Sequence, residues 1–285
     1  MRFTMKKILL ITIVIIQSAL LLAVFDDYQP SAVARGMGGA YTAMANDANA
    51  LFYNPAGLTN TILGVKFGFA NLYGQDFSEY KTAAVGYKLP DNFGTVALGA
   101  RMMDVGFEDT CLMSEQIWSL GHGITLLKDI HSEISLGYTG NFYNLSLDGE
   151  KDDSAIGVDL GIVALLHGRT KFAFAVTNIN KAKMGAENQI DLPNKLALAI
   201  AYTPYDMVTT SVELKKDFGS ETEFMGGVEA RPFEPLAIRF GVHQNPATYN
   251  AGASFYVRNV VVDYSFTYHA VLPSTHYFNL GYNFK

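Results

Sequence analysis

Leu196-Ala197-Leu198-Ala199-Ile200-Ala201-Tyr202 carries a large apolar side chain at every second position and alanine between. Val260-Val261-Val262-Asp263-Tyr264-Ser265-Phe266-Thr267-Tyr268 repeats the pattern with Asp263, Ser265 and Thr267 on the second face. A period of two means extended strands with two unlike faces. The same alternation recurs from about residue 63 to residue 284. An apolar face repeated that often is matched by lipid, which predicts an all-β, transmembrane antiparallel barrel.

Strand candidates bounded by turn residues lie near 63–73, 80–89, 93–103, 115–127, 132–147, 154–166 and 170–179. The series continues near 194–203, 206–217, 222–231, 235–243, 248–257, 259–269 and 275–284. That makes about fourteen, an even number that suits strands running up and down. Turns are read at Pro90-Asp91-Asn92, Asp148-Gly149, His167-Gly168, Thr203-Pro204 and Asn245-Pro246. The longest polar stretches, 104–115, 148–154 and 180–193, are the expected outside loops.

The faces sort consistently. Phe67, Phe69, Val85, Tyr87, Leu98, Tyr138, Leu160, Ile162, Phe172, Phe174, Ile238 and Phe240 share the apolar face. Lys66, Lys88, Arg101, Asp159, Glu213, Lys215, Glu229, Arg239 and Asp263 fall on the other. A Lys or Arg at the bilayer midplane costs about 2–4 kcal/mol, so the charged face is the lumen. Glu213 with Lys215, and Glu229 with Arg239, form candidate lumen ion pairs, which structure the interior or gate it.

Composition agrees. The chain is 49% hydrophobic but only 17% charged, against about 25% charged for a soluble domain. Mean hydropathy is only +0.12, and no apolar run of spanning length follows residue 25, so a bundle of membrane helices is excluded. A net charge of −6 without a basic cluster excludes a nucleic-acid partner. Residues 1–25 read as a signal peptide: Arg2, Lys6 and Lys7 precede an apolar stretch, with cleavage expected after Ala23. No cysteine lies near that junction, so lipoprotein attachment there is excluded. Cys111 is the single cysteine, so no internal disulfide forms.

Residues 26–61 differ from the strand series of 62–285. They are alanine-rich, partly helical in period, and stopped by Asn54-Pro55 and Gly57. Too short to fold alone, they are expected to plug the barrel mouth, held by the lumen charges and turning on Asn54-Pro55-Ala56-Gly57.

Three motifs here, Arg35-Gly36-Met37-Gly38-Gly39-Ala40, Asn46-Asp47-Ala48 and Asn54-Pro55-Ala56-Gly57-Leu58, resemble the mature amino terminus of the FadL-like outer-membrane proteins, most of all the PorV/PorQ type. The resemblance implies a fourteen-stranded barrel with an amino-terminal hatch in the outer membrane of a Gram-negative-type bacterium. For the fatty-acid transporters it implies uptake of hydrophobic solutes; for the PorV type, a role in type IX protein secretion. The expected partners are outer-membrane lipid, the barrel-assembly machinery, and a hydrophobic ligand or secretion-system proteins. The final strand places Phe278, Leu280, Tyr282 and Phe284 on one face and resembles the terminal signal read by the assembly machinery, with Lys285 following the aromatic residue.

Catalytic signals are weak. Histidines 122, 131, 167, 243, 269 and 276 are scattered without metal-ligand spacing. Gly36-Met37-Gly38-Gly39 is preceded by no strand and followed by no Lys-Ser/Thr, so it is not a phosphate loop. A lipid-modifying enzyme would need one of His243 or His269 beside Ser254 or Ser265. The leading expectation is a transport or gating barrel without catalysis, cofactor or metal; the alternative is a non-conducting docking or shuttle subunit of a secretion apparatus.

Overall fold

A computed structural model describes residues 25, 28–108, 110–185, 189–218 and 221–284. The expected leader, apart from Phe25, lies outside the described residues, as does Lys285.

The first seven strands are β1 (Leu63–Asn71), β2 (Ser78–Lys88), β3 (Thr95–Phe107), β4 (Thr110–Lys128), β5 (Ser132–Leu147), β6 (Asp153–Leu166) and β7 (Thr170–Thr177). A two-residue ribbon, β8 (Lys183–Met184) with β9 (Ile190–Asp191), interrupts the next connection. Then follow β10 (Lys195–Tyr205), β11 (Val208–Asp217), β12 (Thr222–Phe233), β13 (Leu236–Gln244), β14 (Thr248–Val257), β15 (Val260–His269) and β16 (Thr275–Asn283). All except β8 and β9 close into one barrel of fourteen strands, sealed by antiparallel pairing of β1 with β16. Closure removes both sheet edges, which a bilayer demands because it offers backbone groups no water.

The alternation sets the two faces. In β10, Leu198, Ile200 and Tyr202 point outward at 47–49% exposure, while Ala197, Ala199 and Ala201 are buried in the lumen. Cross-strand partners keep the register: Leu198 lies opposite Phe174 on one side and Leu214 on the other. A shift of one residue would turn every such side chain to the wrong face.

Turns at the end where β1 begins are short. The connections β10–β11, β12–β13 and β14–β15 each take two residues. The long 178–194 connection lies at the opposite end. Short turns mark the periplasmic side of such barrels and longer loops the outer side.

The wall is uneven in height. β3 to β6 run 13, 19, 16 and 14 residues, against 8 for β7 and 9 each for β1 and β16. About 9–11 residues suffice to span, so the β3–β4–β5 sheet stands well above the apolar belt. This corrects the expected loop at 104–115. Asp104 and Ser114 are paired across β3 and β4, and the Ser114 hydroxyl donates to Asp104 at 2.8 Å. Their polarity marks a strand leaving lipid, not a break in the strand. Lys88 keeps the lumen register but ends β2 at the rim and is exposed.

Residues 28–61 run inside the barrel. They form a short helix α1 (Ala32–Gly36) and two 3-10 turns, Ala48–Phe52 and Pro55–Asn60. The Asp47 carboxylate accepts from Asn49 N at 2.9 Å and caps the first turn. The Asn54 amide oxygen accepts from Ala56 N at 3.1 Å and caps the second, with Pro55 in the first helical position. Met37, Leu51, Asn54 and Leu58 are almost fully buried. Leu51 and Leu58 pack with Val33, Tyr41 and Ala50 of the segment, and Ala97 of the lumen wall completes the cluster.

Candidate functional site: the lumen and the segment it holds

The inner segment lies directly on glycines of the wall. Gly123, Gly137 and Gly161 form one row across β4, β5 and β6. A Cβ on any of them would overlap Asn54 or Pro55. Gly227 and Gly241 are paired across β12 and β13, and a Cβ there would collide with Met37 and Gly38. Gly38 and Gly39 have φ of +67° and +94°, the left-handed region that favours glycine. The lumen is therefore narrow where the segment crosses it, because backbone meets backbone.

Polar wall residues fasten the segment between these floors. The Glu213 carboxylate accepts from Tyr41 N (3.0 Å), Thr42 N (2.9 Å) and the Thr42 hydroxyl (2.8 Å). Asn54 donates to Thr42 O (3.3 Å) and Ile162 O (3.2 Å). Asn279 accepts from Ala32 N (2.5 Å) and donates to Pro30 O (3.4 Å). Asn279 was not singled out from sequence, although its inward register and neutral amide were both legible there.

Toward the end where β1 begins, a chain of charges joins the segment to five strands. Lys66 lies 3.2 Å from Asp47 of the segment and 3.2 Å from Asp263 of β15. Ser254 donates to Asp263 and accepts from Arg239 Nη1 at 2.6 Å. Arg239 Nε contacts Glu229 at 2.7 Å, and Arg231 Nε reaches the same carboxylate at 3.0 Å. The Glu229–Arg239 pairing read from the sequence is present, and both residues are buried. Three acids and three bases alternate, so the chain is neutral as a whole, with exposed Arg231 at its end and every buried member beside an opposite charge. A polar recess of about 230 Å³ opens beside them. Ser254 is thus engaged by Asp263 and Arg239, while His243 contacts Glu223 at 3.1 Å.

Above the Asn54 floor is a chamber of about 70 Å³, bordered by Phe52, Arg101, Lys195, Glu213 and Lys215. That is room for a few waters. Arg101 stacks over the Phe52 ring at 5.1 Å. The chamber roof is apolar: Phe25 meets Tyr143 edge-on at 5.2 Å and clusters with Leu145, Met184 and Leu192. Asp159 accepts from Asn141 (2.7 Å) and from Asn178 N (2.7 Å). Asn178 is fully buried and draws the chain leaving β7 into the lumen.

That inward turn leaves a seam. β6 pairs with β7 only over Leu160–Leu166. Nearer the outer end the β6 edge is covered by single residues: Ile179 N donates to Val158 O (2.8 Å), Val158 N to the Asn180 amide oxygen (2.9 Å), and the Asn180 amide to Ile156 O (2.8 Å).

Of the remaining expected site residues, Arg35 stacks over Tyr277 at 4.9 Å. Gly36 lies against Arg239 and Gly252, and Gly57 against Ala45. Phe278, Leu280 and Tyr282 face outward on β16; Phe284 follows it, its N–H donating to Leu63 O at 2.9 Å.

The fold defines the chain as a transmembrane antiparallel β-barrel of fourteen strands with an occupied lumen. It shares that fold with a toluene transporter of Pseudomonas putida, TodX, at 10% identity and a TM-score of 0.62, over 91% of this chain and 99% of that one. A Pseudomonas aeruginosa FadL homologue aligns at 11% identity and a TM-score of 0.56, over 90% and 98% of the two chains. A deltaS2 mutant of the TodX monoaromatic hydrocarbon channel aligns at 12% identity and a TM-score of 0.59, over 92% and 100%. No protein-family model and no curated protein matches the sequence.

Proposed function

We propose that this chain is an outer-membrane channel of FadL type that admits small hydrophobic solutes, with residues 28–61 as its gate. The observation that carries this reading is the segment seated on wall glycines across the lumen, with a small chamber above it bordered by β7 and β10. A solute reaching the chamber meets an apolar roof outside it, a glycine-seated segment below, and on one side β7, whose pairing with β6 ends at Leu160. Two of the structural neighbours are described as a toluene transporter and a monoaromatic hydrocarbon channel, which supports the same class of cargo here.

In this reading Asn54-Pro55-Ala56-Gly57 is the pivot. It is wedged on the β4–β6 glycines, while the stretch from Met37 to Phe52 swings about it. Lys66 is the latch, since it holds Asp47 on the moving stretch to Asp263 on the wall. The outward aromatic row ending in Phe284 serves recognition by the barrel-assembly machinery. The PorV-type reading, a docking subunit of a secretion apparatus that conducts nothing, draws support from the tall β3–β4–β5 wall, which offers a surface beyond the membrane.

Single-channel recording in a planar bilayer separates the two. Deletion of residues 31–60 should convert a nearly closed barrel into a steady conductor. If the deleted barrel assembles and stays closed, the docking reading replaces the transport one.

A further inference from the structure

We propose that the lipid-facing wall over β4, β5 and β6 holds one membrane lipid in a defined site, with an acyl chain seated at Gly140. Gly140 faces outward in the middle of β5 and is exposed. A Cβ built on it meets no atom within 4 Å. Its row across the wall reads Leu98, Leu120, Gly140, Val158. The glycine is thus a gap in an apolar row. The next row outward carries Trp118, Phe142 and Ile156, and Tyr138 stands on the periplasmic side of the gap. These side chains are 45–64% exposed and enclose a groove of about 740 Å³.

The groove's chemistry selects its occupant. Among the described residues, no charged side chain borders it. Its one histidine, His122, is committed at Nε2 to Phe93 O at 2.6 Å. An apolar, flexible ligand that needs no hydrogen bond fits such a lining, as an acyl chain does. One further row outward the wall turns polar: Gln116, Asn144 and Ser154 are aligned in register and point the same way as Gly140. A lipid whose chain lies at Gly140 therefore presents its ester and headgroup to three neutral hydrogen-bonding side chains. Two features that packing does not require, the missing side chain and the polar row above it, coincide on one lipid's length.

Trp118 borders the groove and is the only tryptophan, so it reports occupancy directly. The full chain in detergent micelles is titrated with phosphatidylcholine brominated midway along one acyl chain, which quenches indole on contact. The wild type should quench in a single saturable step. Gly140→Leu fills the gap and should raise the half-saturating concentration about tenfold. Gly140→Ala should fall between them and covers the case in which the leucine variant misassembles, which heat-dependent gel migration would reveal. Linear, identical titrations for the three proteins would overturn the site in favour of ordinary boundary lipid. A sedimenting dimer that Gly140→Leu dissolves would also overturn it and assign the groove to a second copy.

Discussion

At the scale of single residues, inward glycines decide where the inner segment can lie. Gly137 illustrates the constraint, because a Cβ there would overlap the Pro55 carbonyl and Ala56 N. Gly137→Leu should therefore unseat the segment and destabilise the protein by roughly 1–3 kcal/mol, the usual range for overpacking. A lowered melting temperature together with raised basal conductance would show it. Gly226→Ala is the control: its Cβ would meet nothing closer than 3.9 Å, and both properties should be unchanged.

The charged residues obey a second rule. Lys66 is 5% exposed between two carboxylates. Lys66→Met leaves buried Asp263 and partly buried Asp47 without this cation, and removing one partner of a buried pair costs about 3–5 kcal/mol. Urea unfolding in detergent should register that loss, while Lys81→Met, whose ion pair is nearly half exposed, should cost below about 1 kcal/mol. Register makes the same point on one strand. Val262 faces lipid at 47% exposure and its neighbour Asp263 is 1% exposed. Val262→Arg should hinder insertion by about 2–4 kcal/mol, whereas Asp263→Asn should still assemble. The reverse pattern in a membrane-insertion assay would mean the strand is out by one residue.

At the scale of elements, the informative strand is the short one. β7 has 8 residues beside the 14 of β6, so it cannot cover the outer part of its neighbour. Asn180 substitutes for the missing strand with two side-chain hydrogen bonds. Asn180→Ala should accelerate amide exchange at Val158 about tenfold, the equivalent of one hydrogen bond, with little change at Ala173 or Ala175 on β7. Unaltered exchange at Val158 would show that Ile179 and the loop backbone close the seam unaided. The tall strands teach a different lesson. Polar residues at 104–115 suggested a loop because alternation of apolar and polar fades there. It fades because both faces of β3 and β4 leave lipid, and a strand in water needs no apolar face.

At the scale of the whole molecule, the barrel and the inner segment depend on each other unequally. The strands pair around a complete circle, so the barrel lacking residues 31–60 should still assemble and show heat-modifiable migration on a gel. The segment should not fold without the wall: Leu51 and Leu58 pack with Val33, Tyr41 and Ala50 of the segment itself, but only the wall closes that small cluster, through Ala97 and through Gly99, Gly121 and Gly123 against Leu51 and Leu58. Failure of the deleted protein to assemble would instead make the segment part of the folding nucleus and remove the basis for a gate.

Strand number, the two faces and the lumen location of Lys66, Glu229, Arg239 and Asp263 were legible in the sequence alone. Each follows from a period of two and from the cost of a charge in lipid, both local properties of the chain. The path of the inner segment, its seat on glycine rows drawn from five strands, the Lys66 bridge to Asp47, and the seam beside β7 were decided only by the tertiary structure. They depend on which residues meet across the closed barrel, such as Ala32 with Asn279 or Thr42 with Glu213, and a periodicity carries no information about which distant positions come into contact.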